Sequence, residues 1–288
     1  MIHKDYYYLI AGLPDLIADD KKIAFSTVEF REMMRENLSN AHFELAMLYY
    51  LPYDHKNLLN FLFKKGADWD ERGNFSNETI EIIGDRKSFE LSEDVELPSY
   101  IHEFLTNHYG EESFKDYYTA ELSLTSGYYE HLSKNSNRFV SANAEFNKKV
   151  SNVMTAFSGR KHEIKYENNL IGDDEVTNAI KRSRARDFGL SSEFPEIETL
   201  AQIYETENFV DREFKLDLFK WQFLDEATVF NYFSIEKILA YIQKLFIVER
   251  WYGLDKDKGR LMFNKILEEL KSGFHLPDEY TITYGKKK

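Results

Sequence analysis

The chain has 288 residues, with 37 Lys and Arg against 50 Asp and Glu, and its formal net charge at pH 7 is −13. This balance argues against nucleic acid as the main partner, because phosphate binding needs clustered positive charge. The sequence contains no Cys, which excludes disulfides, thiolate metal ligands and cysteine nucleophiles. A chain of this length can bury a substantial core, as one elongated domain or as two or three helical lobes.

The start of the chain lacks the cationic region and the long apolar run of a signal peptide. The apolar run from Tyr6 to Leu13 is shorter than the roughly 20 residues that span a bilayer, and no other stretch comes closer. We therefore expect a soluble, cytoplasmic protein that reaches a membrane only through a partner.

The first long helix is predicted from a capping pattern. Ser26 and Glu29 stand at the spacing of a capping box, in which each side chain bonds the backbone N–H of the other residue. The pattern predicts a helix from Ser26 to about Tyr50, which Pro52 ends because proline disfavours helical backbone in the residue before it.

A polar connection follows this first helical region. The apolar segment from Leu58 to Phe63 stops at Gly66, and from Gly66 to Pro98 the chain is polar and irregular. We interpret this stretch as a long connection with one short helix. Because so long a connection is uncommon inside a compact domain, we place a lobe boundary there.

The middle of the chain predicts a run of amphipathic helices, because apolar residues recur at helical spacings between polar caps. Pro195 suits the first turn of one of them, and Gly189 follows the end of another. The predicted helices run from Ile101 to His108, from Glu111 to about Ser133, from Asn137 to Phe157, from Asp173 to about Asp187, from Glu196 to Thr206, and from Asn208 to about Tyr232.

The C-terminal region predicts an antiparallel hairpin of two helices, Ile235–Trp251 and Asp255–Leu270. Ser234 and Asp255 stand where helix caps belong, and Gly253 separates the two apolar stripes. Strand signal is thin, and only Tyr280 to Tyr284 alternates as a strand would. The sequence thus predicts a mainly α fold with three helical lobes, 1–98, 99–172 and 173–288.

No motif for catalysis or metal binding is complete. Asp187-Phe188-Gly189 matches the magnesium-binding tripeptide of protein kinases, but no glycine-rich phosphate loop or His-Arg-Asp loop accompanies it, and its glycine is better explained as a helix end. The run from Asp255 to Gly259 resembles a calcium loop, but Ile266 stands where the bidentate Glu is needed. The His residues lack the ligand spacing of zinc and di-iron sites. We therefore expect no enzyme activity, no metal and no cofactor.

Two basic clusters stand out from the acidic background. One is Arg160-Lys161, and the other includes Arg182 and Arg186, which would lie four apart on one face of a helix. Either these residues form a solvated face that pairs with nearby acids, or Arg160, Lys161, Arg182 and Arg186 form a docking patch for an acidic partner.

Several segments resemble a family encoded among V-type ATP synthase genes in some bacteria. The resemblance is spread over most of the chain and is weakest from Gly66 to Pro98. The segments are Tyr6 to Leu16, Asn152 to Phe157 with Arg160-Lys161, Asp187 to Leu190, Asp217 to Trp221, Phe223 to Glu226, Tyr232 to Glu236, Leu239 to Tyr241, Lys244-Leu245, Val248 to Trp251, Leu254-Asp255 and Gly259.

This resemblance implies a non-catalytic subunit or accessory protein of a V-type ATP synthase, with the central stalk and the membrane ring as partners. A more distant likeness is to the funnel-shaped stalk-seating component of V-type ATPases (the C subunit, called d in eukaryotes), an elongated multi-lobe helical bundle that seats the stalk on the ring. The shared features are the run of amphipathic helices and a helix that precedes a basic pair. The chain departs from that pattern where Asn152 follows Ser151 and not Arg.

Two further classes of function stay open. A transient helical assembly factor or scaffold would bind assembly intermediates but not the finished complex. An enzyme with an unrecognised polar site would show a buried pocket in which several ionisable groups converge.

Overall fold

The computed structural model describes residues 6–18, 23–91, 95–110 and 113–254. Within these ranges the secondary structure is helical and contains no β-strand, so the predicted mainly α fold is confirmed. The predicted helix Asp255–Leu270 and the strand signal from Tyr280 to Tyr284 lie outside the described residues. The described helices are α1 Tyr7–Ala11, α2 Thr27–Asn37, α3 Asn40–Met47, α4 Leu51–Leu62, α5 Asn77–Gly84, α6 Arg86–Leu91, α7 Ser99–Tyr109, α8 Tyr117–Ser133, α9 Arg138–Lys161, α10 Glu175–Arg182, α11 Ile197–Tyr204, α12 Phe209–Ala227 and α13 Ile235–Gly253.

Polar side chains cap the N-termini of several helices whose starts the sequence analysis predicts. The Ser26–Glu29 capping box is present, with the Ser26 N–H donating to Glu29 Oε2 at 2.6 Å and the Glu29 N–H donating to Ser26 Oγ at 3.1 Å. Asn137 and Asn208 cap α9 and α12 by accepting backbone hydrogen bonds. Asp174 caps α10 in the same way, because each side-chain oxygen satisfies N–H groups that have no partner within the helix.

The predicted helix from Ser26 to Tyr50 is wrong as a single element. It is broken into α2 and α3, because Leu38 and Ser39 have extended backbone. Pro52 does not end a helix but lies in the first turn of α4. Proline is tolerated there, since the N–H that it lacks would have no partner in the first turn.

The polar stretch from Gly66 to Pro98 is more ordered than predicted. It holds two helices, α5 and α6, and α5 packs against α4. Ile80 and Ile83 are one turn apart on α5, and both are fully buried in the core.

The buried apolar side chains form two clusters, and α9 contributes to both. Phe139 and Ala144, near its start, join the larger cluster with α2–α5, α7, α8 and α13. Val150 and Val153, further along, join the smaller cluster with α10 and α11. Phe223 on α12 packs against both clusters. The division into three lobes at residues 98 and 172 stays a prediction.

Helix α13 buries the apolar stripe that the sequence predicts, with Ile238, Leu239 and Ile242 inaccessible to solvent. Ser234 stands at its N-cap position but does not cap it with its side chain. The Ser234 hydroxyl donates instead to the Glu236 carboxylate, which takes it away from the backbone N–H groups.

Candidate functional site

The predicted basic patch lies where the end of α9 meets the turn after α10. Arg160 donates from Nη1 to the Ala185 carbonyl at 2.5 Å and from Nη2 to the Ser183 carbonyl at 2.6 Å. Its guanidinium carbon lies 3.8 Å from the centre of the Phe188 ring. Arg160 therefore holds this turn to α9, and its terminal nitrogens are already engaged in the fold.

The other three predicted residues are exposed at the surface. Lys161 is exposed, with its Nζ 5.4 Å from the centre of the Tyr204 ring, and Arg186 pairs with Glu205 at 2.7 Å. Lys161 and Arg186 thus contact consecutive residues at the end of α11, and the docking patch as a whole stays a prediction.

Arg182 and Arg186 do not lie on one helical face, so that prediction is wrong. Helix α10 ends at Arg182, because Ser183 has extended backbone, and Arg186 lies beyond its end. Arg182 is exposed near Asp173, whose pKa is lowered first by the hydrogen bond from Lys181 and also by the charge of Arg182.

The Asp187-Phe188-Gly189 tripeptide forms a turn and does not end a helix, since α10 stops five residues earlier than predicted. Phe188 and Gly189 have φ angles of 55° and 74°, in the left-handed region that a glycine tolerates. The Asp187 carboxylate accepts hydrogen bonds from the Gly189 N–H at 3.0 Å and the Ser191 hydroxyl at 2.5 Å. The tripeptide therefore serves to bury the Phe188 ring in the smaller cluster.

A second surface is aromatic and lies where the first described residues meet the turn between α12 and α13. The Tyr6 N–H donates to the Phe233 carbonyl at 2.7 Å, which fixes α1 beside the turn between α12 and α13. The Tyr7 ring lies 4.7 Å from the Phe233 ring and 5.7 Å from the Tyr8 ring, measured between centres. Tyr8 is 91% exposed and Phe230 is 85% exposed. We call Tyr7, Tyr8, Phe230, Tyr232 and Phe233 the aromatic surface.

A cavity of about 820 Å³ lies between α4, α8, α9, α12 and α13. Asp217 on α12 is buried at its edge, and its Oδ2 accepts hydrogen bonds from the Arg250 guanidinium and from Trp251 Nε1, the latter at 2.7 Å. Glu213, one turn earlier, lies 3.9 Å from the other Arg250 nitrogen. These bonds tie α12 to α13 beside the cavity.

A second ion-pair network borders the same cavity. The Glu249 carboxylate accepts from the Thr27 N–H at 2.8 Å and from the Thr27 hydroxyl at 2.7 Å, and it lies 3.8 Å from Arg72. Burial raises the pKa of Asp70, but the hydrogen bonds from Arg72 and Lys56 outweigh burial and lower that pKa to about 2. The Asp70 carboxylate is thus held as an anion by neighbouring donors.

The sequence analysis missed this cavity, in which ionisable groups from distant segments converge. The available signal was weak, because Asp217 and Lys220 are merely one turn apart on an amphipathic helix. No group of three or more His, Asp or Glu side chains within the described ranges could hold a metal ion. The expectation that the protein has no metal or cofactor stays a prediction.

In the part of the chain that the structure describes, no helix combines the length and the apolar character that crossing a membrane would require. The features above define a helical protein with a basic patch, an aromatic surface and a polar cavity. The chain belongs to the family described as "Protein of unknown function (DUF2764)", whose model matches residues 3–274. No curated protein and no solved structure matches the chain.

Proposed function

We propose that this protein is a non-catalytic subunit or accessory protein of a V-type ATP synthase, which binds the central stalk and the membrane ring through its helical surfaces. The proposal starts from the resemblance of its segments to the family encoded among V-type ATP synthase genes. It includes the likeness to the funnel-shaped stalk-seating component and a location at the membrane through the complex. The helical architecture is compatible with both.

The aromatic surface is the observation that supports a binding role best. Large exposed apolar patches mark interaction sites, and Tyr and Phe are enriched where proteins meet. Tyr8 and Phe230 are almost fully exposed, so their burial by a partner would release much apolar area from water. Four of its five residues lie in Tyr6 to Leu16 and Tyr232 to Glu236, two of the segments that carry the resemblance, whereas Phe230 lies outside these segments.

The basic patch supplies a second contact of a different kind. Lys161, Arg182 and Arg186 are exposed on a protein of net charge −13, whereas Arg160 is engaged in the fold. Exposed cations steer an acidic partner into place, and this steering weakens when added salt shortens the Debye length below about 8 Å. Acidic helices of the stalk or ring subunits are the proposed partner of this patch.

The test is affinity purification of the tagged protein from membranes solubilised in mild detergent. We expect the wild-type protein to recover the ATP synthase subunits. The double variant Tyr8→Ser, Phe230→Ser should lose them, because it removes the most exposed aromatic rings. The matched control is Leu91→Ser, since Leu91 is 83% exposed at the end of α6, away from the aromatic surface in sequence. Absence of ATP synthase subunits from the wild-type sample, or equal recovery by the double variant, would count against the proposal.

The basic patch is tested in the same assay with Arg182→Glu, Arg186→Glu. The charge-matched control is Arg35→Glu, Arg86→Glu, which reverses two exposed arginines that each form an ion pair with an acid on their own helix. At low salt we expect Arg182→Glu, Arg186→Glu to lose the ATP synthase subunits and the control variant to retain them. Recovery confined to incomplete complexes would instead identify a transient assembly factor.

A further inference from the structure

Three cationic side chains line the cavity between α12 and α13, although the chain as a whole is acidic. The cations are Arg72, Lys220 and Arg250, and the carboxylates of Asp217 and Glu249 line the cavity beside them. The formal net charge of the chain is −13. Carboxylates also lie close to two of these cations, since Asp70 pairs with Arg72 and Glu213 lies 3.9 Å from Arg250.

Lys220 differs from the other two cations of the cavity. Arg250 is paired with Asp217, and Arg72 with Asp70 at 2.7 Å. Lys220 is half-buried in the cavity wall and forms no hydrogen bond or salt bridge among the described residues. Burial lowers the pKa of Lys220, and the charge of Arg250 adds to this effect, whereas the charges of Asp217 and Glu213 oppose it. An ammonium that has lost water without gaining an acceptor favours the approach of an acid group.

The walls beside Lys220 suit an aromatic body. Tyr53, Tyr129 and Phe246 line the cavity, and the Tyr53 and Phe246 ring centres are 5.1 Å apart. Asn143 donates to Gln243 Oε1 at 2.6 Å, which orders an amide network in the same lining. A volume of about 820 Å³ lies within the range of roughly 300–1,000 Å³ that small-molecule sites occupy.

We propose that this cavity binds a small aromatic molecule that carries a carboxylate or phosphate group. The acid group pairs with the Lys220 ammonium, and the ring packs against the tyrosines of the wall. This site is separate from the aromatic surface and from the basic patch. Its test is therefore independent of the test of the proposed role in the ATP synthase.

The first experiment is isothermal titration calorimetry of the full-length protein with 1-naphthyl phosphate and 1-naphthoate. We expect at least one of these acids to bind, and which of them binds more tightly identifies the acid group. The two halves of the probe, 1-naphthol and inorganic phosphate, should bind about tenfold more weakly or not at all, since each supplies one of the two interactions.

Lys220→Met removes the charge and keeps a long apolar side chain. We expect it to weaken binding of the acid probe by about tenfold or more. Lys215→Met on the same helix is the matched control, because Lys215 is exposed and bonds the Thr206 hydroxyl at 3.2 Å. Unchanged binding by Lys220→Met, or no binding of either acid to the wild-type protein, would overturn the proposal.

A second measurement needs no variant and applies even where Lys220→Met fails to fold. The wild-type protein is acetylated with limiting acetic anhydride, with and without 1-naphthyl phosphate or 1-naphthoate, and the lysines are quantified by mass spectrometry. We expect the bound acid to slow acetylation of Lys220 and to leave that of Lys215 unchanged. Equal rates at Lys220 in both samples would refute the assignment.

Discussion

Arg160 lies against Phe188, with the guanidinium carbon 3.8 Å from the centre of the ring. The same guanidinium donates to the carbonyls of Ser183 and Ala185, so one side chain of α9 fixes the whole turn after α10. Phe188 is buried in the smaller core cluster, and its backbone φ of 55° is unusual for a residue other than glycine. A basic residue predicted to serve a partner thus stabilises an irregular turn of its own chain.

We expect Arg160→Met to lower the free energy of unfolding by about 2–3 kcal/mol, because it removes two charged hydrogen bonds and the contact with the Phe188 ring. Urea denaturation followed by circular dichroism measures this change. The control Arg182→Met should cost less than about 0.5 kcal/mol, since Arg182 is exposed. Similar stabilities of the two variants would show that the bonds of Arg160 contribute little.

Asn152 joins α9 to the segment before α10. Its side chain accepts from the Ile171 N–H at 2.7 Å and donates to the Ile171 carbonyl at 2.9 Å, and it is almost completely buried. We expect Asn152→Leu to cost about 2–4 kcal/mol, because both backbone groups of Ile171 then lose this partner in an apolar environment. Urea denaturation should show a much smaller loss for Asn178→Leu, whose Asn donates one bond at the surface. An Asn152→Leu variant as stable as the wild type would contradict this account.

Gly159 is a position in α9 where a methyl group has no room. A Cβ there would lie 2.4 Å from Cδ1 and 2.7 Å from Cβ of Tyr166, so the neighbouring segment would have to move. We expect Gly159→Ala to lower the melting temperature, with a cost of about 1–3 kcal/mol from overpacking that exceeds its gain in helix propensity. Gly253→Ala at the end of α13 is the matched control, because a Cβ there meets no atom of the described residues within 4 Å. A higher melting temperature of both variants would disprove the predicted clash.

His55 makes stability depend on pH. Burial lowers the pKa of His55 from 6.5 to about 3, and its ring bonds the Tyr100 hydroxyl at 2.6 Å. In the unfolded chain His55 therefore becomes protonated near pH 6.5, whereas in the folded chain it stays neutral down to about pH 3. The contribution of His55 is complete above that pH and is lost as the pH falls towards 3.

The stability difference between the wild type and His55→Gln should accordingly shrink between pH 7.5 and pH 5, by about 1–2 kcal/mol, in urea denaturation at both values. The comparison with a variant is needed because burial raises the pKa of neighbouring Asp54 to about 6, and that carboxyl acts in the opposite sense. Its stabilising effect is complete below pH 3.8 and is lost as the pH rises through 6. A difference that does not vary with pH would exclude a proton-linked role of His55.

The helical character and several helix starts could be predicted from the sequence, because caps and apolar stripes act within a few residues. Asn137, Asn208 and the Ser26–Glu29 box each bond the backbone of the next turn, and the stripe of α13 buries as predicted. Helix breaks were harder to predict. The break at Leu38 and the early end at Arg182 occur where competing helical patterns continue in the sequence.

Packing between distant segments decided where the candidate sites lie. Thr27 and Glu249 are 222 positions apart and share two hydrogen bonds, and Tyr6 likewise meets Phe233. The sequence identifies Arg160 and Lys220 equally well as cationic side chains. It does not show which of the two forms hydrogen bonds with an acceptor in the folded protein. Burial and hydrogen-bond geometry make that choice, since an ammonium or a guanidinium in an irregular fold is paired only where helix packing brings an oxygen within reach.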